Sequence, residues 1–185
     1  MRVFIAVDVP EEIKLKAHKA QELVDRLALD IKFVELHNLH FTLKFIGEVS
    51  EGDISNIQKA MLSAAKQFVP FELELRGLEA LPKPTLARTV ACGVKNGKET
   101  LTALSNILSK ELAGLGFHED ERPFEPHLTI GRLKNPTAKQ ELITLLKEQE
   151  NMEIGKMAVE SMKLVQSTLT RQGPIYKDLF TARLG

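Results

Sequence analysis

Apolar residues recur along this chain at two periods, and the switches between them mark its elements. Val3 to Val7 is a short continuous apolar run, the pattern of a strand buried on both faces. Pro10-Glu11-Glu12 then opens a helix, because proline and acids suit a first turn. Ile13, Ala17, Ala20, Val24 and Leu27 share one face of it. A short strand is expected over 31–34 and a longer one from His40 to Ile46, ended by Gly47. Ser50-Glu51-Gly52-Asp53 leads into a second helix with Ile54, Ile57, Met61 and Leu62 as its apolar face. Phe71, Leu73 and Leu75 alternate with Glu72, Glu74 and Arg76, which predicts a half-buried strand. Pro82-Lys83-Pro84 reads as a turn and 86–94 as a further strand. Leu101, Leu104, Leu108 and Leu112 define a third helix that closes near Gly114 and Gly116. A loop rich in charge and proline, His118 to Pro126, delivers the chain to a strand that opens at His127. Asn135-Pro136-Thr137 punctuates that strand before a helix carrying Ala138, Leu142, Leu145 and Leu146. Two last strands are expected near 158–167 and 175–183.

Two of these strands open with one phrase, His40-Phe41-Thr42-Leu43 and His127-Leu128-Thr129-Ile130. In a strand, side chains two residues apart share a face, so each phrase presents a histidine and a threonine together. Chance would place two such copies among five histidines with odds on the order of 0.1%, so the pair is a signal. Each motif strand is followed by a polar turn and a helix, while the surrounding sequence has diverged. The repeat predicts an α+β fold of two pseudo-symmetric lobes, each a small antiparallel-rich sheet with packed helices, around a central cleft. No linker separates independent domains, so residues 1–185 read as a single bilobal domain.

Composition narrows the field. At 185 residues, 43% hydrophobic and 27% charged, the chain has the make-up of an ordinary globular protein. Lys+Arg and Asp+Glu balance at 25 each, so no global positive field draws in nucleic acid, and phosphate recognition must come from a local cluster. Cys92 is the only cysteine, which removes an intramolecular disulfide and a cysteine-based zinc site. Within Val90-Ala91-Cys92-Gly93-Val94 it reads as a small buried hydrophobe. The N-terminal apolar run is too short for a signal-peptide core, and no stretch approaches the roughly 20 apolar residues that span a bilayer. A soluble, cytoplasmic chain is expected.

A lone histidine on an apolar strand is usually structural; two that face each other supply a general acid and a general base near neutral pH. The threonine hydroxyls beside them suit donation to the non-bridging oxygens of a phosphate. Zinc is not expected, since neither phrase has the spacing that sets two ligands on one helix face. No Gly-x-Ser-x-Gly elbow and no phosphate-binding P-loop occurs. Lys44 shares strand parity with His40 and Thr42 and is a candidate phosphate contact. Arg132 lies five residues after His127, so strict alternation turns it away from the cleft unless a bulge intervenes. Phe45 holds the same offset in the first motif and reads as core packing, with base stacking as the alternative. His37 has opposite parity to His40 and reads as structural; His18 and His118 read as solvated. Tyr176 is expected to anchor a hairpin turn, with stacking on a terminal nucleobase as the alternative.

At these residues the chain resembles the two-histidine (2H) phosphoesterases, and most closely their RNA 2′,3′-cyclic phosphodiesterase branch, the 2′-5′ RNA ligase-like family. Arg2-Val3-Phe4-Ile5-Ala6-Val7 resembles the opening strand of that branch. His40-Phe41-Thr42-Leu43-Lys44-Phe45-Ile46-Gly47-Glu48 resembles its first motif, and Pro126-His127-Leu128-Thr129-Ile130-Gly131-Arg132 its second. The resemblance implies metal-independent opening of a terminal 2′,3′-cyclic phosphate to a 2′-phosphate, with no cofactor. By the same analogy His40 is the proton donor and His127 the acceptor, while Thr42, Thr129, Arg132 and Lys44 bind phosphate or substrate. The residues alone leave the acid and base interchangeable, because the motifs are nearly equivalent and a reversed substrate swaps their roles. The implied partner is an RNA end, tRNA-derived ends among the candidates, met by a monomer with no membrane contact. A nucleotide held in the cleft, ligation to a 5′-hydroxyl, a different cyclic phosphate substrate and a non-catalytic binding module stay open as alternatives.

Overall fold

Nine strands divide between two sheets in the computed structural model, which describes all 185 residues. β1 (Arg2–Asp8), β2 (Ile31–Phe33), β3 (His40–Glu48), β4 (Phe71–Lys83) and β5 (Leu86–Asn96) come first along the chain. β6 (His127–Thr137), β7 (Glu153–Val159), β8 (Ser161–Thr170) and β9 (Gly173–Arg183) complete the set. The first sheet runs β3-β1-β8-β9 and the second β2-β6-β5-β4-β7, with every neighbouring pair antiparallel. Four helices accompany them: α1 (Glu11–Asp25), α2 (Glu51–Ala65), α3 (Lys98–Ala113) and α4 (Gln140–Glu148).

The repeat is visible as two strand–helix–strand–helix units. β1-α1-β3-α2 makes the first and β5-α3-β6-α4 the second, β1 pairing with β3 as β5 pairs with β6. The first helix of each unit crosses to the other lobe: α1 packs on β6 and β7, and α3 reaches β3. The lobes are therefore interleaved rather than successive halves of the chain. β2, between α1 and β3, joins the second sheet beside β6, and β8 and β9 return to the first. One continuous apolar core, from Val3, Ile5 and Val7 of β1 to Leu128 and Ile130 of β6, runs under both sheets. The opposite face of β1 carries Phe4 and Ala6, which pack with Val165 and Tyr176 as a separate small cluster. That second face opens into the cleft.

Several boundaries differ from the sequence pattern. The expected strand over 158–167 is two strands in two sheets, parted only by Glu160. No glycine or proline marks the crossing, so the alternation runs through it unbroken. β4 continues through Pro82 to Lys83, with Pro84-Thr85 as the turn. β6 likewise continues through Asn135-Pro136, past the reach of β2, where a proline that donates no hydrogen bond is tolerated. Ala138 consequently falls before α4 and Leu27 after α1. In α2 the buried face is Ile57, Ala60, Met61, Ala64 and Ala65, while Leu62 is exposed; the small alanines let the helix lie close. Cys92 is fully buried as expected, and burial pushes its thiol up to about 12.

Candidate active site

The two motif strands hold their histidines in one way. The Nδ1–H of His40 donates to the carbonyl of Asn38 at 2.7 Å, and that of His127 to the carbonyl of Glu125 at 2.6 Å. A carbonyl only accepts, so each Nδ1 carries a hydrogen and each Nε2 is left for the cleft. Asn38 is itself buried and donates through its side chain to the carbonyl of Pro174 at 3.2 Å, fixing the turn that orients His40.

Both strands also bulge three residues after the histidine. Along β3, Ala6 faces Thr42 and Ile5 faces Lys44, which leaves Leu43 as the extra residue. Along β6, Ala91 faces Thr129 and Val90 faces Gly131, leaving Ile130. An inserted residue reverses the alternation beyond it. Arg132 therefore shares the face of His127 and Thr129, which strict alternation denied it. Phe45 shares the face of His40 and Thr42: it is 59% exposed, with its ring 6.0 Å from that of Phe4, so it does not pack in the core. Lys44 loses the parity it had on paper. Its buried ammonium lies 2.9 Å from Asp120 and donates to the carbonyl of His118 at 2.9 Å, tying the first sheet to the loop that delivers His127.

A bulge leaves backbone groups out of the ladder, and a buried carbonyl without a donor costs about 1–3 kcal/mol. Each bulge is supplied with a donor by the crossing helix. Ser105 of α3 donates to the carbonyl of Leu43 at 2.8 Å. Gln21 of α1 donates to the carbonyl of Ile130 at 3.0 Å and to that of Val34 at 2.8 Å. Gln21, Asn38, Lys44 and Ser105 are four of the five buried polar residues, so nearly all buried polarity serves the motif strands. Sequence reasoning passed over Gln21 and Ser105. Their signal was a polar residue on an otherwise apolar helix face, beside Ala17, Ala20 and Val24 in one case and Leu101, Leu104 and Leu108 in the other.

A cavity of about 810 Å³ brings together His40, Thr42, Lys44, His127, Thr129 and Arg132. Within it the histidines have different surroundings. His40 stacks on Phe4 at 4.9 Å and meets the edge of Tyr176 at 5.4 Å, and its Nε2 lies 2.9 Å from the Thr42 hydroxyl. Tyr176 thus sits on β9 against a histidine rather than at the hairpin tip. His127 has no ring neighbour of this kind, and the hydroxyl of Thr129 has no partner in the chain. Burial lowers the pKa of both histidines, and the carbonyls at Nδ1 oppose it. For His40, Asp8 raises the value more than Arg132 lowers it; for His127, Arg132 outweighs Glu125. Arg132, which forms no ion pair, is thus near enough to act on both rings. The other histidines stand apart: His37 is exposed on a short 3-10 turn, His118 is exposed in its loop, and His18 pairs with Glu22 on α1. No group of three or more His, Cys, Asp and Glu side chains converges as a metal site would require, and no helix is long and apolar enough to cross a membrane.

An arrangement with two mirrored imidazoles, two hydroxyls and an unpaired guanidinium can move protons on either side of an anionic centre. Known proteins resemble the chain over its whole length. The chain is 39% identical to the RNA 2′,3′-cyclic phosphodiesterase of Methanothermobacter thermautotrophicus, covering 100% of this chain and 99% of that protein. It is 38% identical to the protein of the same name from Aeropyrum pernix, over 89% of this chain and 93% of the relative. The crystal structure of TT0787 of Thermus thermophilus superposes with a TM-score of 0.83 at 29% identity, covering 100% of this chain and 98% of that one. Residues 9–170 match the family model of the 2′-5′ RNA ligase superfamily, and the chain belongs to that family.

Proposed function

We propose that residues 1–185 form one bilobal domain that hydrolyses 2′,3′-cyclic phosphate ends of RNA to 2′-phosphate ends by paired-histidine acid–base catalysis. The observation that carries the reading is the matched pair of Nδ1-anchored imidazoles that border one cavity with Arg132, the Nε2 of His40 beside the Thr42 hydroxyl and that of His127 without a partner in the chain. His127, the more open of the two, takes a proton from water as its oxygen forms a bond to phosphorus. The bond from phosphorus to the ribose 3′-oxygen breaks, and His40 passes its Nε2 proton to that oxygen. The charges around the rings support this direction, since Asp8 favours a protonated His40 and Arg132 a neutral His127. Arg132, Thr42 and Thr129 receive the non-bridging oxygens, where donors held in place stabilise the charge that builds up. Lys44, already engaged by Asp120 and the His118 carbonyl, holds the loop across the cleft and adds positive charge from below. Phe45 and Tyr176 offer ring surfaces to the terminal base. The curated relatives named RNA 2′,3′-cyclic phosphodiesterase support the substrate class.

The test is an end-labelled RNA carrying a 2′,3′-cyclic phosphate, incubated with the protein in EDTA beside His40→Ala and His127→Ala. A 2′-phosphate product, lost in both variants, is expected. A 3′-phosphate would reverse the in-line geometry, a joined product would mean ligation, and an unchanged end would overturn the proposal.

A further inference from the structure

Arg132 has a cationic neighbour that the chemistry at phosphorus does not use. β2 pairs with β6 so that Lys32 stands directly opposite Arg132 and on the same face, toward the cleft. Opposed residues on neighbouring antiparallel strands have Cβ atoms about 5 Å apart, and like charges there destabilise the pairing. Neither Lys32 nor Arg132 has a carboxylate within ion-pair distance, whereas Lys44, Arg76 and Lys163 each do. A lysine guarding an edge strand against aggregation needs only to be exposed, and on β2, where Ile31 and Phe33 pack against the core, position 32 is the one that faces away from it. This one stands where a second cation makes it costly.

The Lys32 ammonium reaches the β8–β9 hairpin of the opposite sheet: a Cβ on Gly173, where φ is +125°, would lie 3.8 Å from it, in ordinary van der Waals contact. The 118–126 loop lines the same cavity with Asp120, paired to Lys44, and with Glu121, Arg122 and Glu125. Lys32 and Arg132 are therefore two adjacent cations without a carboxylate partner on one border of the cleft, enough for two phosphates rather than one.

We infer that Lys32 is a second phosphate subsite, which binds the phosphodiester on the 5′ side of the terminal nucleotide while Arg132 holds the cyclic phosphate. The inference rests on the cyclic-phosphate reading above and extends it: the enzyme takes oligoribonucleotide ends in preference to mononucleotides. The like-charge pair is relieved only when two phosphates are bound, so a substrate with one phosphate leaves part of the binding energy unused.

Two substrates separate these claims: a nucleoside 2′,3′-cyclic phosphate, and a dinucleotide ending in the same nucleotide with the same cyclic phosphate. Wild-type protein should show a kcat/KM about tenfold higher on the dinucleotide, the scale of one hydrogen bond to a charged group. Lys32→Gln should lose that factor on the dinucleotide and leave the mononucleotide unchanged, and Lys32→Arg should restore it. The logarithmic salt dependence for the dinucleotide should also flatten by about 0.7, the share of one phosphate contact on a single strand. Equal loss on both substrates, or loss on neither, would overturn the subsite. Wild-type protein inert on both would instead strike the cyclic-phosphate reading. The subsite is then still tested by anisotropy binding of a labelled dinucleotide with a 3′-phosphate, and undiminished binding by Lys32→Gln would overturn it.

Discussion

The strands β3 and β6 are alike in everything that positions a side chain and unlike in what the side chains meet. Both fix Nδ1 with the carbonyl two residues upstream, both bulge at the third residue after the histidine, and both take a buried donor from the crossing helix. Beyond the bulge they part. Lys44 and Phe45 follow in β3 where Gly131 and Arg132 follow in β6. One side of the cleft thus gains an aromatic surface and a strap to the opposite loop, the other a free cation. The shared part explains how two imidazoles come to share one cavity. The divergent part gives equal groups unequal surroundings: His40 is enclosed by Phe4 and Tyr176, while His127 has no ring neighbour of that kind, which is what the proposed acid and base roles require.

The largest break in the comparison comes from the histidines themselves. General acid and general base contributions are typically about 10²–10⁴-fold each, so His40→Ala and His127→Ala should each reduce kcat on a cyclic phosphate RNA end by that range. Their double variant should lose little beyond the worse single one, because the two act in one step. A single-turnover assay showing full multiplication of the two losses would refute concerted action.

The residues five beyond each histidine should fail in different ways. Arg132→Gln removes a donor to the phosphoryl oxygens and should cost about 10²-fold in kcat. Phe45→Ala should mainly raise KM, by a factor set by about 1–3 kcal/mol of base stacking. Steady-state kinetics decide this, and a kcat defect in Phe45→Ala as deep as that of Arg132→Gln would make the two sides of the cleft equivalent.

The helix donors then sharpen the same contrast. Ser105→Ala leaves the Leu43 bulge carbonyl without its donor, while Gln21→Leu removes the donor to the Val34 carbonyl and one of two donors on the Ile130 carbonyl, which keeps the Val34 N–H. Each should lower stability by about 1–3 kcal/mol in urea melts. Each should also carry a muted copy of its own strand's defect: Gln21→Leu lowering kcat as Arg132→Gln does, and Ser105→Ala raising KM as Phe45→Ala does. Stability loss with unchanged kinetics in both would confine these residues to packing.

The legibility of the chain follows from the range over which each feature is decided. The phrases at His40 and His127 are local, so the cleft and its histidines could be read from eight residues. The bulges could not. Alternation alone sends Arg132 away from His127 and Lys44 toward His40, and both placements are reversed by bulges in the pairing with β5 and β1, whose carbonyls meet donors more than sixty positions distant, Gln21 and Ser105. Strand pairing hid the interleaving of the lobes in the same way. Nothing around Glu160 signals that β7 and β8 belong to different sheets, because both partners, β4 and β1, lie far away in sequence.

The smallest expected effect is on pH dependence, and it tests whether Arg132 acts on both halves of the site. Burial and Arg132 lower both imidazoles from their ordinary value of about 6.5. The base must be neutral and the acid protonated, so kcat/KM should trace a bell whose two limbs both lie on the acid side of that value. In Arg132→Gln the lowering charge is gone from both rings, and both limbs of the bell should move toward neutral pH. The same shifts bear on stability. The unfolded chain takes up these two protons at higher pH than the folded one, so stability is present in full above about 6.5 and declines as the pH falls toward the folded values. Arg132→Gln should soften that decline, which urea melts at pH 5 and pH 7 would register. A bell that moves on one limb only would place Arg132 beside one histidine and leave the other untouched, and the symmetry of the cleft would end at the bulges.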